Sequence, residues 1–295
     1  MNNKIFISIV GKSNVGKSTL INYLCDSYIS SESNKPQTTR ANLYTETLIK
    51  NLRFVFIDTP GLSVKGNDLL SVAMKNSYIK SFEGIDLVII LTDINKSKKF
   101  ENDILNILKP SQVKILVVVN KIDLFKEDLT LYKEFQKSIK NSFKEKVFFI
   151  SLHSNKGLKN FIKEGLLEKA HDLNQKNKFS INETKNEIVL IQELIRGVIV
   201  NNTHKEIPYD AAVKVNKYEK SRTINKIDAS IYVNKINQRK IIIGSNGNLI
   251  KLIGSKSRNI LESKYKKDFY LKLNVCVKKN WKNNHSFLRN IGYIS

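Results

Sequence analysis

Nine consecutive residues, Gly11-Lys12-Ser13-Asn14-Val15-Gly16-Lys17-Ser18-Thr19, have the types and the spacing to hold a phosphate. They fit the pattern G-x-x-x-x-G-K-[ST]. Gly11 and Gly16 allow backbone N–H groups to curl around an anion. A helix beginning at the end of the loop adds the positive end of its dipole. In that arrangement Lys17 reaches the β and γ phosphates and Ser18 ligates Mg²⁺. Without its flanking elements the pattern is only a glycine-bounded turn, so the setting decides. Lys4–Val10 is apolar and rich in Ile and Val, as a strand would be, and Leu20–Leu24 reads as helix.

Three further stretches carry matching chemistry. Asp58-Thr59-Pro60-Gly61 ends a second apolar run. There Asp58 would stand beside Mg²⁺ through water, and the Gly61 N–H would point at the γ-phosphate. Asn120-Lys121-Ile122-Asp123 follows the apolar run Val113–Val119. A carboxylate at Asp123 accepts two hydrogen bonds from the N1–H and 2-amino group of guanine. Adenine would leave it desolvated and unpaired, so the reading is GTP and not ATP. Thr38 and Thr39 lie between the phosphate loop and the next strands, and Thr39 is the favoured Mg²⁺ ligand when a γ-phosphate is bound. A polar loop without a ligand is the competing reading for both threonines.

The elements needed to position these motifs follow from pattern. Leu43–Ile49 and Arg53–Asp58 read as a β-hairpin across Lys50-Asn51-Leu52. Helical spacing predicts helices near Leu69–Phe82, Asn102–Leu108, Leu129–Phe143 and Gly157–Lys169. Asp86–Thr92 and Val113–Val119 are continuous apolar runs, as in central parallel strands, and Val147–Ile150 is a further strand. Strand alternating with helix predicts a doubly wound α/β domain with its sites at the carboxyl ends of the strands, where all four motifs fall. Residues 171–180 are polar and read as a linker, placing one domain at 1–170 and a second at 181–295. In the second, Glu183–Val200 and Leu249–Tyr265 read as helices. Ala211–Tyr218, Ile227–Val233 and Phe269–Val277 read as strands, and Lys240–Ile243 reads as a short strand entering Gly244-Ser245-Asn246-Gly247.

Composition narrows the classes. The net charge is +23, from 43 Lys and 7 Arg against 27 acidic residues. Residues 229–295 hold 14 basic and 2 acidic residues. Lys-rich compositional drift would spread more evenly, so a polyanion-binding surface is expected in the last quarter of the chain. No run of about 18 apolar residues could span a bilayer, and the start of the chain leaves no room for a signal peptide before the first strand. Cys25 and Cys276, far apart in apolar settings, read as packed, reduced core thiols. His153, His171, His204 and His285 lack metal-ligand spacing, so no metal beyond Mg²⁺ is expected.

The order GKSNVGKST, PQTTR, DTPGL and NKID, with Gly244-x-x-Gly247 behind it, resembles the Era family of bacterial GTPases over nearly the whole chain. The resemblance implies an α/β Ras-like P-loop G domain, doubly wound and mostly parallel, followed by an α+β K-homology (KH) domain. It implies slow hydrolysis of GTP to GDP, with Lys17, Thr39 and Gly61 serving catalysis and Ser18, Thr39 and Asp58 holding Mg²⁺. The nucleotide would lie on Gly11–Thr19, on Asp58, Thr59, Pro60, Gly61 and Leu62, on Asn120–Asp123, and on Ser151 and Leu152. Gly244, Ser245, Asn246, Gly247 and Lys251 would meet the 3′ region of small-subunit ribosomal RNA during assembly of the small ribosomal subunit, in a cytoplasmic monomer.

Four places in the sequence bear on that implication. Leu62 stands where Ras-like enzymes carry a water-orienting Gln. Asn14 stands where related GTPases hold K⁺ between the phosphates, and a loop-capping role explains it equally. Ser151-Leu152-His153 replaces the usual Ser-Ala, leaving open which backbone N–H meets the guanine. Ser245 and Asn246 replace the usual basic residue between the two glycines, a loss that Lys251, Lys256 and Arg258 would offset. Two rival classes remain at this level: a regulator lying peripherally on the inner face of the cell membrane, and a nucleotide-gated RNA-binding module that barely hydrolyses GTP.

Overall fold

The computed structural model describes residues 4–26, 39–61, 66–94, 113–125, 129–140, 146–171, 173 and 183–294. Strand β1 (Lys4–Val10) feeds the glycine-bounded loop and helix α1 (Lys17–Leu24). Strands β2 (Leu43–Ile49) and β3 (Leu52–Asp58) form a hairpin. Its turn residues Lys50 and Asn51 both have positive φ, 46° and 66°, which suits a tight hairpin turn. Helix α2 (Leu69–Lys80) is capped by the Asp68 side chain, which accepts from the Ser71 N–H at 2.8 Å. Strand β4 (Leu87–Asp93) is buried along its whole length. Strand β5 (Lys114–Asn120), helix α3 (Leu129–Lys140) and the short strand β6 (Val147–Phe149) follow. Helix α4 joins Leu158–Asn160, a π-wound Phe161–Leu167 and Glu168–His171.

The first sheet has the order β2-β3-β1-β4-β5-β6, parallel throughout except for β2. Because β1 lies between β3 and β4, connections leave it in both directions, and the crevice at its carboxyl end is where such sheets bind ligands.

The remainder is built on helix α5 (Glu183–Asn202), then α6 (Ile207–Asp210), β7 (Ala212–Glu219), β8 (Ile224–Val233), α7 (Ile236–Ile243), α8 (Asn248–Tyr265), β9 (Asp268–Val277) and α9 (His285–Asn290). Its sheet runs β7-β8-β9, antiparallel then parallel, with α5 packed on β7 and on α8. Every α5 residue from Val189 to Val200 is buried, including Gln192, Glu193 and Arg196. An amphipathic stripe therefore understates this helix, which is covered on all sides.

One expected element is overturned. Lys240–Ile243 is not a strand but the second half of α7. The Ile241-Ile242-Ile243 run suggested β structure, yet only Ile242 is buried while Ile241 is exposed. The helix is set by its start, where the Gln238 side chain accepts from the Asn234 and Lys235 N–H groups, both at 3.0 Å. The thiols match expectation in part, with Cys25 packed against the core. Cys25 and Cys276 are free but only half-buried, and burial pushes the Cys25 thiol up to about 12 against the opposing charge of Lys264. Among the described residues no helix is long and apolar enough to cross a membrane, and no His, Cys, Asp and Glu cluster could hold a metal. Thr38, Leu62, the expected helix at Asn102–Leu108 and most of the 171–180 linker lie outside the described residues.

Candidate functional site

The loop after β1 closes only because its second glycine is a glycine. Gly16 has φ 104°, and a Cβ there would lie 2.6 Å from the Asn120 Nδ2. That contact joins the first motif to the third. Asn120 donates through Nδ2 to the Val15 carbonyl at 2.9 Å. Lys121 donates through Nζ to the Asn14 carbonyl at 2.7 Å and pairs with Asp93 at 2.8 Å. Asn14 itself is exposed and left-handed, φ 66°. Lys12, Ser13 and Thr19 complete the loop and first turn, all half-buried. Asn120 and Lys121 thus fix the loop's curvature from the far side of β4.

The charged groups of the loop face β3. Lys17 is buried, with Nζ donating to the Gly11 and Lys12 carbonyls at 3.2 and 3.0 Å. Burial lowers the pKa of its ammonium group, and the Asp58 carboxylate works against that shift. Ser18 and Thr39 both donate to the same oxygen, Asp58 Oδ2, at 3.0 and 3.1 Å. Thr59 donates to the Ile9 carbonyl at 2.8 Å, and Pro60 is buried. This seats Gly61 against the loop, where a Cβ would lie 3.3 Å from the Ser13 nitrogen and 3.6 Å from Lys17 Nζ. Two hydroxyls and a carboxylate converge as a hard, all-oxygen donor set, the kind that suits Mg²⁺.

At the other edge, Asp123 opens a short 3₁₀ turn, Ile122–Phe125, directly after β5. The fully buried Ser151 donates from its hydroxyl to the Asp123 carboxylate. The Leu152 N–H donates to Asn120 Oδ1 at 3.1 Å, and the Ile122 N–H to the Ile150 carbonyl at 3.3 Å. The structure therefore brings Gly11–Thr19, Thr39, Asp58–Gly61, Asn120–Asp123, Ser151 and Leu152 to one end of one sheet.

Gly244–Gly247 lies apart from that crevice. Gly244 combines φ 73° with ψ 175°, a conformation open to glycine alone. Ser245 and Asn246 are exposed, with Asn246 left-handed at φ 51°. Lys251 is exposed on the first turns of α8. Of its expected helpers, Lys256 donates to Asn202 Oδ1 at 2.7 Å and Arg258 pairs with Glu262 at 3.7 Å, so Lys251 stands nearest the loop as an exposed cation.

Two residues were invisible to motif reading. Asp93, one strand over from Asn120 in register, holds Lys121; its signal was an acid at the end of the apolar run Leu87–Leu91. Arg40, the last residue of PQTTR, is completely buried, and its partners are more than 150 residues away in sequence.

Comparison with known proteins gives matches in both halves of the chain. The family described as a 50S ribosome-binding GTPase matches residues 6–121, and the KH domain family matches 206–282. GTPase Era of Lactobacillus delbrueckii subsp. bulgaricus is 34% identical, over 98% of this chain and 95% of its own. GTPase Era of Borrelia turicatae is 31% identical, over 97% of this chain and 98% of its own. Among solved structures, a variant of Aquifex aeolicus Era bound to GDP and AlF4⁻ superposes with a TM-score of 0.84 at 28% identity, covering 99% of this chain and 100% of that one. Era in complex with MgGDPNP and nucleotides 1506–1542 of 16S ribosomal RNA gives 0.85 at 27% identity, covering all of both chains.

Proposed function

The chain belongs to the Era family of GTPases, and from that premise we propose that it is a GTP-hydrolysing switch that holds the 3′ region of small-subunit ribosomal RNA during assembly of the small ribosomal subunit. The observation that carries the nucleotide half is the convergence of Ser18 and Thr39 on Asp58, beside a phosphate loop that Asn120 and Lys121 hold in shape. The solved relative carrying both MgGDPNP and the 16S fragment supports the pairing of the two ligands.

In this reading residues 1–170 are the G domain, 171–180 a linker and 181–295 the KH domain with its tail. Lys17 neutralises the β and γ phosphates, released from the two loop carbonyls it caps here. Ser18, Thr39 and, through water, Asp58 would hold Mg²⁺, which supplies charge neutralisation between the phosphates. The Gly61 N–H, already packed against the loop, reports the γ-phosphate. Asp123, braced by Ser151, accepts from guanine, and the Leu152 region supplies the backbone donor. For Asn14 two alternatives stand: shaping the loop, where its carbonyl accepts from Lys121, or holding K⁺ with its side chain. On the other surface, Gly244–Gly247 brings backbone close to RNA phosphates, with Lys251 as the adjacent cation.

The test is a pair of titrations on the full chain. Fluorescent GTP should be displaced by GTP and GDP but not by ATP at a hundredfold excess. A single-stranded RNA matching the 3′ end of small-subunit ribosomal RNA should bind with affinity that falls steeply with salt. Equal competition by ATP would refute the guanine site, and equal affinity for unrelated RNA would refute the assigned partner.

A further inference from the structure

Thr39 and Arg40 are neighbours in sequence but their side chains belong to opposite halves of the molecule. Thr39 donates to Asp58 in the first sheet's crevice. Arg40 donates through its guanidinium to the carbonyls of Ala211, Tyr209 and Pro208 at 2.8, 2.8 and 3.2 Å, and lies 5.7 Å from the Trp281 ring centre. The N–H of the peptide joining the two residues donates to Glu193 Oε2 at 3.2 Å. Glu193 is itself fixed, accepting from Arg196 at 2.7 and 3.0 Å and from the Tyr293 hydroxyl at 2.6 Å. All of these side chains are buried.

We infer that Arg40 is a positioning residue for the triphosphate state: its capture by the 208–211 turn and by Glu193 holds Thr39 at the metal-binding oxygens, so affinity for GTP over GDP depends on α5 and the C-terminal tail. This rests on the proposed role of Thr39 as a ligand to Mg²⁺ when the γ-phosphate is present. The clamp acts on the peptide plane attached to the Thr39 Cα, so a loss of either hold lets that plane turn. GDP has no γ-phosphate and makes no call on Thr39, so it should be indifferent to the clamp.

Burial costs make a bland explanation unattractive. The cluster holds two guanidinium groups and one carboxylate out of water, and such groups join surfaces less cheaply than apolar residues of the same volume. Burial lowers the Arg40 pKa to about 10, with the nearby Arg196 adding to it. Burial alone would raise the Glu193 carboxyl, but Arg196 and its hydrogen bonds hold it below its usual range. What the charges supply in return is direction. Three carbonyls from one turn and one carboxylate oxygen set the orientation of a two-residue segment that apolar contacts would leave free to slide.

The test measures GDPNP and GDP affinity, both with Mg²⁺, for the full chain and for Thr39→Ala, Arg40→Lys, Glu193→Gln and Tyr293→Phe. Thr39→Ala should weaken GDPNP about tenfold and leave GDP within about twofold, inside the usual range of couplings between sites. Arg40→Lys should match it, and Tyr293→Phe, the mildest change, should weaken GDPNP about threefold. The Thr39→Ala/Arg40→Lys double variant should be no worse than Thr39→Ala alone, because both remove one contribution. If Arg40→Lys does not fold, shown by loss of GDP binding, Glu193→Gln and Tyr293→Phe carry the test. Weakened GDPNP in Thr39→Ala with unchanged GDPNP in the folded clamp variants would overturn the inference and leave the Thr39 role standing. Unchanged GDPNP in Thr39→Ala would overturn both.

Discussion

Asp93 offers the sharpest check on how the phosphate loop is held. Its carboxylate is 1% exposed and pairs at 2.8 Å with Lys121, which is 34% exposed. Lys121 also donates to the Asn14 carbonyl inside the phosphate loop. Asp93→Asn keeps the shape and one acceptor oxygen but removes the charge. An exposed pair is worth about 0.2–1 kcal/mol, and breaking a fully buried one costs about 3–5 kcal/mol. With one partner buried and the other half in water, the loss should be about 1–2 kcal/mol. If Lys121 serves the loop, that loss appears in nucleotide affinity as a factor of about 5 to 30. Calorimetric titration with GDP and Mg²⁺ on wild type, Asp93→Asn, Lys121→Met and the double variant measures it. If Asp93 serves the loop through Lys121, the double variant should bind no more weakly than Lys121→Met. GDP affinity within twofold of wild type for Asp93→Asn, or losses that multiply in the double variant, would refute the reasoning.

Four other outcomes are expected. Lys17→Ala should abolish GTP turnover while its melting temperature stays near wild type, since among the described residues its ammonium bonds two loop carbonyls; unchanged steady-state hydrolysis would show that Lys17 is not the phosphate ligand. Asp123→Asn should lose GTP affinity and gain preference for xanthosine nucleotide, read by competition titration. Hydrolysis should be faster in K⁺ than in Na⁺ at equal ionic strength if Asn14 holds the ion, and Asn14→Ala should remove the difference; equal rates would return Asn14 to a structural role in the loop, where its carbonyl accepts from Lys121. The Ser245→Asp/Asn246→Asp variant should bind the 3′ ribosomal RNA about 10- to 100-fold more weakly, or about 1.4–2.8 kcal/mol, with GTP affinity unchanged; equal affinities would mean that the loop is only a turn.

Much of the first half was legible because its chemistry sits at the ends of strands that announce themselves. Leu87–Asp93 and Lys114–Asn120 have no periodicity to misread, and the motifs begin at the last residue of a strand, as at Asp58 and Asn120, or directly after it, as at Gly11. The second half was less legible where local preference and tertiary setting disagree. Ile241-Ile242-Ile243 looks like a strand to propensity, and only the Gln238 hydrogen bonds at the start of α7 show why it winds instead. Glu183–Asn202 carries two charges in its centre that a stripe of apolar residues would assign to solvent. They are buried because β2 and the C-terminal tail close over the helix, through Asn186 with the Tyr44 backbone and Gln192 with the Ile291 carbonyl. No pattern within the helix encodes those neighbours.

Arg40 shows what kind of signal was present and unread. The chain uses Lys over Arg by 43 to 7. Two of those seven arginines, Arg40 and Arg196, are completely buried in one cluster, one spread over three carbonyls and the other forked onto Glu193. An ammonium group has no planar fork and offers its three donors from a single nitrogen, so Lys would satisfy at most part of either set. In a composition this biased, a surviving guanidinium marks a place where geometry and not charge is required. The cluster also reaches the loop on the far surface by short steps. The 208–211 turn that holds Arg40 includes Asp210, which accepts from Gln238 and from Lys282, both at 2.6 Å. Gln238 lies in the first turn of α7, and Gly244 caps its end. Thr39 at one end and Gly244 at the other are therefore joined by one turn, two side chains and a helix of eight residues.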